Sequence, residues 1–205
     1  MTAKRHLTAE ARRERTVETV IELCARDEPA TLTTGAIARQ MGVTQGALFR
    51  HFPSKDAIWE AVVDWVGQRV MQRVDAAAAG ADAPLAALEA MFMAHVAFIV
   101  EHPGVPRLLL GQLQHARPTP ARRMVRSLLF RYRERITALL EQARAAGELR
   151  EGLDLEAATM QFIGTIQGLV IQALMAGEVT RLLDQAPGVF AIYRHGIAAD
   201  GEARS

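Results

Sequence analysis

One short stretch of this 205-residue chain, VTQGALFRHFPSK from Val43 to Lys55, mixes hydrogen-bond donors with aromatic side chains in an unusual way. Gln45 and Arg50 are long donors, His51 adds a ring N–H, and the final lysine adds an ammonium group. These residue types bind anions and polar ligand edges, and their order matches no nucleophile–base or metal-ligand pattern. The stretch therefore predicts recognition chemistry, which depends on the elements that hold it.

Capping and breaker residues predict that this stretch lies among short helices. Thr8 is a candidate N-cap for a first helix, and Thr33 is one for a short second helix. Gly42 then stands where a helix end favours left-handed backbone. Thr44 is the candidate cap of a third short helix, which Pro53 stops.

Helical periodicity continues through the rest of the chain, and we find no alternating strand pattern of useful length. The sequence therefore predicts an all-α fold, with a three-helix N-terminal domain over residues 1–53 and a C-terminal helical bundle over residues 54–205. The later helices are expected near residues 55–79, 84–102, 104–115, 119–146, 154–176 and 187–199.

Composition narrows the class of protein. Half of the residues are hydrophobic, 23% are charged and the net charge is +1, so the chain can build a large core and is not a polyelectrolyte. The longest apolar run, residues 90–100, is interrupted by His95 and looks too short for a bilayer. Because Cys24 is the lone cysteine and the first residues are charged, we expect a cytoplasmic protein without a membrane segment.

Motifs for catalysis are missing from the sequence. It contains no Gly-x-Ser-x-Gly motif, phosphate-binding loop or His-Glu-x-x-His motif. His95 and His102 lie seven residues apart, which is poor spacing for a metal site without further ligands. We therefore expect no enzyme activity, no cofactor and no metal.

The two short helices joined by the turn 42–44 have the spacing of a helix-turn-helix. In that motif the second helix enters the DNA major groove by its N-terminal half, while the first helix crosses it. Leu48 and Phe52 are expected to pack inward against Ile37 and Val43. The remaining side chains of the second helix then face the DNA.

This geometry gives each donor a role. Glutamine pairs well with adenine and arginine with guanine, so Gln45 and Arg50 are candidates for contacting base edges. Thr44 and the exposed N-terminus of its helix suit a phosphate, as do His51 and Lys55. Gly46, in the same helix, has no side chain and so lets the backbone come close to DNA.

The segment TTGAIARQMGVTQGALFRHFPSKDAIWEAV, within residues 8–63, resembles the DNA-binding signature of the tetracycline-repressor (TetR) family of bacterial transcriptional regulators. Phe49 stands where the family usually has tyrosine, and Ala47 stands where it often has threonine or serine. Phe49 is thus either a core residue or a contact without a hydroxyl. The predicted DNA-contact residues are Thr33, Thr34, Thr44, Gln45, Gly46, Ala47, Phe49, Arg50, His51 and Lys55.

The resemblance implies a ligand-responsive repressor that binds a palindromic operator in double-stranded DNA as a homodimer. It also implies that a small apolar or amphipathic effector enters the C-terminal bundle and releases the DNA. The helix over residues 154–177 is apolar around most of its circumference, which requires cover on all sides. The predicted dimerisation residues are Gly164, Gly168, Ile171, Val189, Phe190 and Tyr193.

Methionine and aromatic side chains in the bundle are numerous enough to line an adaptable apolar pocket, although such side chains also form ordinary cores. His95, Gln112 and Gln161 are the polar members expected to orient a ligand. The predicted ligand-binding residues are Trp65, Met91, Phe92, His95, Phe98, Leu110, Gln112, Met124, Phe130, Gln161 and Phe162.

Two basic segments leave alternatives open. Residues 107–135 contain eight arginines against the single acid Glu134, which indicates either a solvated face or a surface for an acidic partner. The second meaning favours an activator, or a regulator controlled by a partner without a small-molecule inducer. The first fifteen residues are also basic, and we expect them to add non-specific DNA affinity through Lys4, Arg5, Arg12, Arg13 and Arg15.

Overall fold

The computed structural model describes residues 8–114 and 119–199. Within these ranges the chain is helical and contains no strand, apart from an isolated bridge between Leu149 and Ala198. The all-α prediction is confirmed. The helices are α1 (Ala9–Arg26), α2 (Thr34–Gln40), α3 (Gln45–Phe49), α4 (Lys55–Ala79), α5 (Pro84–Glu101), α6 (Gly104–Gln114), α7 (Pro120–Ala145), α8 (Leu155–Ala176) and α9 (Leu182–Ile197), with a 3₁₀ turn at Val179–Arg181 before α9.

Side-chain caps explain why these helices begin where they do, and the predicted caps are confirmed. The hydroxyls of Thr8, Thr33 and Thr44 each accept a hydrogen bond from the backbone N–H three residues later, at 3.1–3.2 Å. Asp154 caps α8 in the same way, with 2.9 and 3.1 Å contacts. Each bond satisfies an N–H group that lacks a partner within its helix.

The prediction for the last helix is wrong at its start. We expected that helix to begin at Pro187, but α9 begins at Leu182 and holds the proline in its interior. Leu182 and Ala186 are both 1% exposed and continue the buried stripe of Phe190 and Tyr193. Burial of this stripe outweighs the one backbone hydrogen bond that proline cannot donate.

The described residues divide into two compact units. The head unit comprises the chain up to Gly67 together with His102–Arg126, and the bundle unit comprises Gln68–Glu101 together with the chain from Ser127 onward. The boundary after residue 53 therefore stays a sequence-based prediction. Each unit has its own buried side chains.

The core of the head unit joins α1, α2 and α3. Ile37, Leu48 and Phe52 are 0–2% exposed, as the sequence predicts. The inward position expected for Val43 is wrong, because this side chain is 42% exposed. It lies in the turn between Gly42, whose φ is +67°, and the N-cap of α3, where the extended backbone turns the side chain outward.

Gly104 brings α6 directly against α1. A Cβ atom at this position would lie 1.9 Å from the carbonyl oxygen of Ile21 and 2.9 Å from the backbone nitrogen of Ala25. Only glycine allows the two backbones to approach this closely. Sequence periodicity gives no sign of this contact, which links α6 to the helix that supports the helix-turn-helix.

Four aromatic rings form the centre of the bundle unit. Phe92, Phe162, Phe190 and Tyr193 have ring centroids 5.2–5.7 Å apart in their closest pairs, with tilted or edge-to-face orientations. The hydroxyl of Tyr193 donates to the backbone carbonyl of Ala158 at 3.1 Å. This bond satisfies the polar end of a ring that is 3% exposed.

The bundle unit also holds a buried polar pair. The His95 Nδ1 atom lies 2.8 Å from the Tyr132 hydroxyl, and the rings meet edge to face at 5.1 Å. Burial lowers the pKa of His95 to about 4, and it raises the pKa of Tyr132. Both side chains are therefore neutral near pH 7.

Two bundle helices have the length and composition of a membrane span. Pro84–Glu101 and Leu155–Ala176 are both long and apolar enough to cross a bilayer by length and composition, with 44% and 39% of their apolar windows buried. The apolar run over residues 90–100 covers only part of α5, which also contains Glu89 and Glu101. Core helices of non-membrane proteins have the same features.

Replacing Gly104 with alanine should destabilise the head unit. The added methyl group would overlap the Ile21 carbonyl, so α1 or α6 must shift, at a cost of about 1–3 kcal/mol. Gly196→Ala in α9, where an added Cβ meets nothing within 4 Å, is the matched control. Urea denaturation followed by circular dichroism checks this, and equal midpoints for the two variants would contradict the packing described.

His95 should make stability depend on pH. Its pKa in the folded chain is about 4, below the 6.5 of a free imidazole, so the unfolded chain binds the proton more readily. Stability is full above pH 6.5 and falls by about 1.4 kcal/mol per pH unit as pH falls towards 4. Relative to His95→Gln, the wild type should therefore lose stability between pH 7 and pH 4. A constant difference in unfolding free energy would contradict this, and the exposed His195→Gln is the control.

Candidate nucleic-acid interface

The helix-turn-helix is fixed by backbone contacts on both sides of its turn. After α2, Gly42 adopts a left-handed conformation and the Val43 N–H donates to the Ala38 carbonyl at 3.0 Å. Thr44 then begins α3 with extended backbone, and its hydroxyl accepts from the Ala47 N–H at 3.1 Å. The hydroxyl proton of Thr44 remains available as a donor, together with the first N–H groups of α3.

The side chains of α3 divide as the sequence predicts. Leu48 is buried, whereas Gln45 and Arg50 are exposed. Phe49 is 41% exposed, so it is not a core residue. Gly46 is exposed, and an added Cβ there would meet nothing within 4 Å. The protein itself thus imposes no need for glycine at this position.

Thr34 orients Gln45, a contact that sequence reasoning missed. The side-chain amide of Gln45 donates to the Thr34 hydroxyl at 2.6 Å. The neighbouring Thr33 hydroxyl accepts from the Ala36 N–H, which caps α2. The exposed glutamine is therefore held by α2 rather than free to rotate.

The cations near the end of α3 have different surroundings. Arg50 is exposed, and the Lys55 ammonium lies 5.8 Å from the centroid of the Trp59 ring. Arg13, which we expected to belong to a DNA-binding arm, instead donates to the backbone carbonyl of His51 at 2.8 Å. Lys4 and Arg5 lie outside the described residues.

A groove between α1 and the end of α2 has a net negative lining. Its volume is about 380 Å³, and it is lined by Ala11, Glu14, Arg15, Glu18, Thr19, Glu22 and Gln40. The three carboxylates outnumber the one guanidinium, so the groove itself disfavours phosphates. The exposed donors at α3 are therefore the better candidates for binding a nucleic acid.

The predicted ligand-binding residues fall into both units. Trp65, Leu110, Gln112 and Met124 belong to the head unit, and the others belong to the bundle unit. Met91, Phe92, Phe98 and Phe162 are buried in the bundle core, and His95 pairs with Tyr132. Phe130 is 61% exposed and Gln161 is also exposed, so these two do not line the core.

Some of the predicted dimerisation residues are buried within their own unit, and others are exposed. Phe190 and Tyr193 are 0% and 3% exposed, because they pack inside their own unit, and they offer no surface to a second chain. Ile171 is 40% exposed, and added Cβ atoms at Gly164 and Gly168 would meet nothing within 4 Å. The most exposed apolar residues of these helices are Met160, Met175, Leu183 and Ile192, and of these sequence reasoning missed Met175 and Leu183.

Titratable groups in the described part of the chain form no cluster of three or more His, Cys, Asp or Glu able to hold a metal ion. Cys24 is buried in α1, and burial raises the pKa of its thiol to about 12. The thiolate is the reactive form, so Cys24 is a packing residue.

Sequence comparisons agree with the geometry. The family model described as "Bacterial regulatory proteins, tetR family" matches residues 20–62, and "Tetracyclin repressor-like, C-terminal domain" matches residues 84–186. The nucleoid occlusion factor SlmA of Vibrio cholerae serotype O1 is 30% identical over 162 residues, which cover 77% of this chain and 81% of that protein. SlmA of Aliivibrio fischeri is 29% identical over the same length and coverage.

Solved structures show the same fold. The fatty acid degradation regulator FadR from Bacillus halodurans superposes with a TM-score of 0.81 at 16% identity, covering 94% of this chain and 98% of that one. The ketosteroid regulator KstR2 of Mycobacterium tuberculosis gives a TM-score of 0.78 at 21% identity, covering 92% and 96%. With both family models matched in order along the chain, the protein belongs to the TetR family of bacterial transcriptional regulators.

Proposed function

We propose that this TetR-family regulator is a cytoplasmic repressor that binds a palindromic operator as a homodimer and leaves it when a small effector binds. The observation that carries the proposal is the surface of α3, where the capped helix N-terminus, Gln45 and Arg50 are all exposed. Phosphate contacts from the capped end would set the register, and the two long side chains would read bases.

A second copy of the chain is the partner that best suits α8 and α9. Met160, Gly164, Gly168, Ile171 and Met175 recur every three or four residues and so lie along one side of α8. Met175 is 83% exposed, and Ile192 on α9 is 73% exposed. Exposed apolar side chains in such numbers mark a protein contact, and a two-fold contact would match two operator half-sites.

The bundle unit is the proposed effector site, and its chemistry favours an apolar or amphipathic molecule. Met91, Phe98 and the aromatic rings around Phe162 supply an apolar lining, with His95 and Tyr132 as the polar pair. A ligand that separates these packed rings would favour a second arrangement of the bundle. It can release DNA only if it binds that arrangement more tightly.

A second candidate is a DNA-bound regulator controlled by a protein partner without a small inducer. The relatives named nucleoid occlusion factors favour it, because that name describes an action on the nucleoid rather than a response to a metabolite. The exposed Phe130 and Arg131 on α7 are compatible with such a partner. Arg117, in the same basic segment, lies outside the described residues.

Selection from a random DNA pool should enrich a palindrome whose half-site centres lie about 34–36 Å apart, one helical turn. Arg50→Ala should then lose discrimination at one base in each half-site, by about 1–3 kcal/mol. Arg39→Ala, an exposed arginine in the last turn of α2, is the matched control and should retain the full consensus. No enrichment by a folded wild-type protein would refute sequence-specific binding.

An effector should both stabilise the chain and weaken operator binding. The FadR of Bacillus subtilis was solved in complex with stearoyl-CoA, so a series of acyl-CoA thioesters and free fatty acids is a suitable first probe. We expect an active member to raise the unfolding midpoint and to weaken operator affinity about 5–150-fold. His95→Phe, which removes the polar group of the pair, should reduce both effects. Unchanged operator affinity across a broad apolar library would favour partner control instead.

A further inference from the structure

Arg13 is a cation of α1 whose guanidinium reaches the end of the recognition helix. It donates to the backbone carbonyl of His51 at 2.8 Å, and its central carbon lies 4.6 Å from the centroid of the Phe52 ring. Phe52 is completely buried, so the stacked ring is itself fixed. One side chain therefore holds both the backbone and the first buried ring beyond α3.

The helix that Arg13 contacts needs such support. The α3 helix has five residues, little more than one turn, and its own last turn contains no basic residue. The N–H groups of His51 and Phe52 both donate to the Leu48 carbonyl, at 3.0 and 3.1 Å. Carbonyls at a helix C-terminus lack hydrogen-bond partners and carry partial negative charge. A guanidinium supplies both the missing donor and a positive charge.

The backbone of Arg13 belongs to a helix that is tightly packed within the head unit. Val17, Val20 and Ile21, in the turns that follow, are 0–4% exposed. The same helix is locked against α6 by the close approach at Gly104. Through its bond to the His51 carbonyl, Arg13 fixes the segment around that residue relative to α1. That segment carries Arg50 before His51 and Lys55 after it.

We propose, on the basis of the function proposed above, that Arg13 is a positioning residue that fixes the recognition helix for base reading. A planar guanidinium can donate to the His51 carbonyl while its face covers the Phe52 ring, whereas lysine cannot make both contacts from one geometry. These two contacts assign the exposed side chain to orientation of α3, and the salt dependence measured below separates that role from neutralisation of a phosphate.

The test compares Arg13→Ala and Arg13→Lys with Arg26→Ala, which removes the same charge from an exposed position at the other end of α1. The probes are the operator selected by the wild type and a scrambled duplex of the same length, each measured over a range of KCl concentrations. Arg13→Ala should lower the operator-to-scrambled affinity ratio about ten-fold, with Arg13→Lys intermediate and Arg26→Ala unchanged. The salt slopes of Arg13→Ala, Arg26→Ala and the wild type should be equal. The amides of His51 and Phe52 should also exchange faster in Arg13→Ala.

Two results would overturn the role of Arg13. One is a ratio in Arg13→Ala equal to that of the wild type and Arg26→Ala. The other is a uniform loss on both duplexes with a salt slope about one unit smaller than that of the wild type, which is the signature of a phosphate contact. If circular dichroism shows Arg13→Ala to be unfolded, Arg13→Lys decides, and a wild-type ratio there overturns the proposal. Failure of the wild type to enrich any sequence would instead overturn the proposed function.

Discussion

A helix of five residues cannot hold its own shape in water, because nucleating a helix costs more than one turn of hydrogen bonds returns. The DNA-facing side chains of this protein nevertheless depend on such a helix. The α3 helix is held from its start by the Thr44 cap, from beneath by the buried Leu48 and Phe52, and from its end by Arg13. Its orientation is therefore a property of the whole head unit.

A chain with a net charge of only +1 must rely on local charge to attract DNA. Exposed Gln45, Arg50 and the half-exposed Lys55 lie at or just beyond α3. The carboxylates of Glu14, Glu18 and Glu22, with the single guanidinium of Arg15, line a groove on α1. Such separation of local charge can orient a polyanion as it approaches, which net charge alone cannot do.

Local signals were the predictable part of the structure. The caps at Thr8, Thr33, Thr44 and Asp154 act within three residues, so the sequence reveals them directly. The contacts it did not reveal join distant residues: the bond from Gln45 to Thr34 spans 11 positions and that from Arg13 to His51 spans 38. Arginine near an N-terminus looks like a DNA-binding arm until the fold shows what it contacts. The start predicted at Pro187 was wrong because a local signal, a helix-breaking residue, was outweighed by burial of the apolar stripe around it.

The claim that residues around α3 contact DNA is tested most directly by amide hydrogen exchange with and without the selected operator. Peptides covering Thr33–Lys55 should become more protected on binding, while peptides from the acidic side of α1, around Glu18 and Glu22, should change little. Tight operator binding with no new protection over Thr33–Lys55, and with protection elsewhere in the chain, would contradict the account.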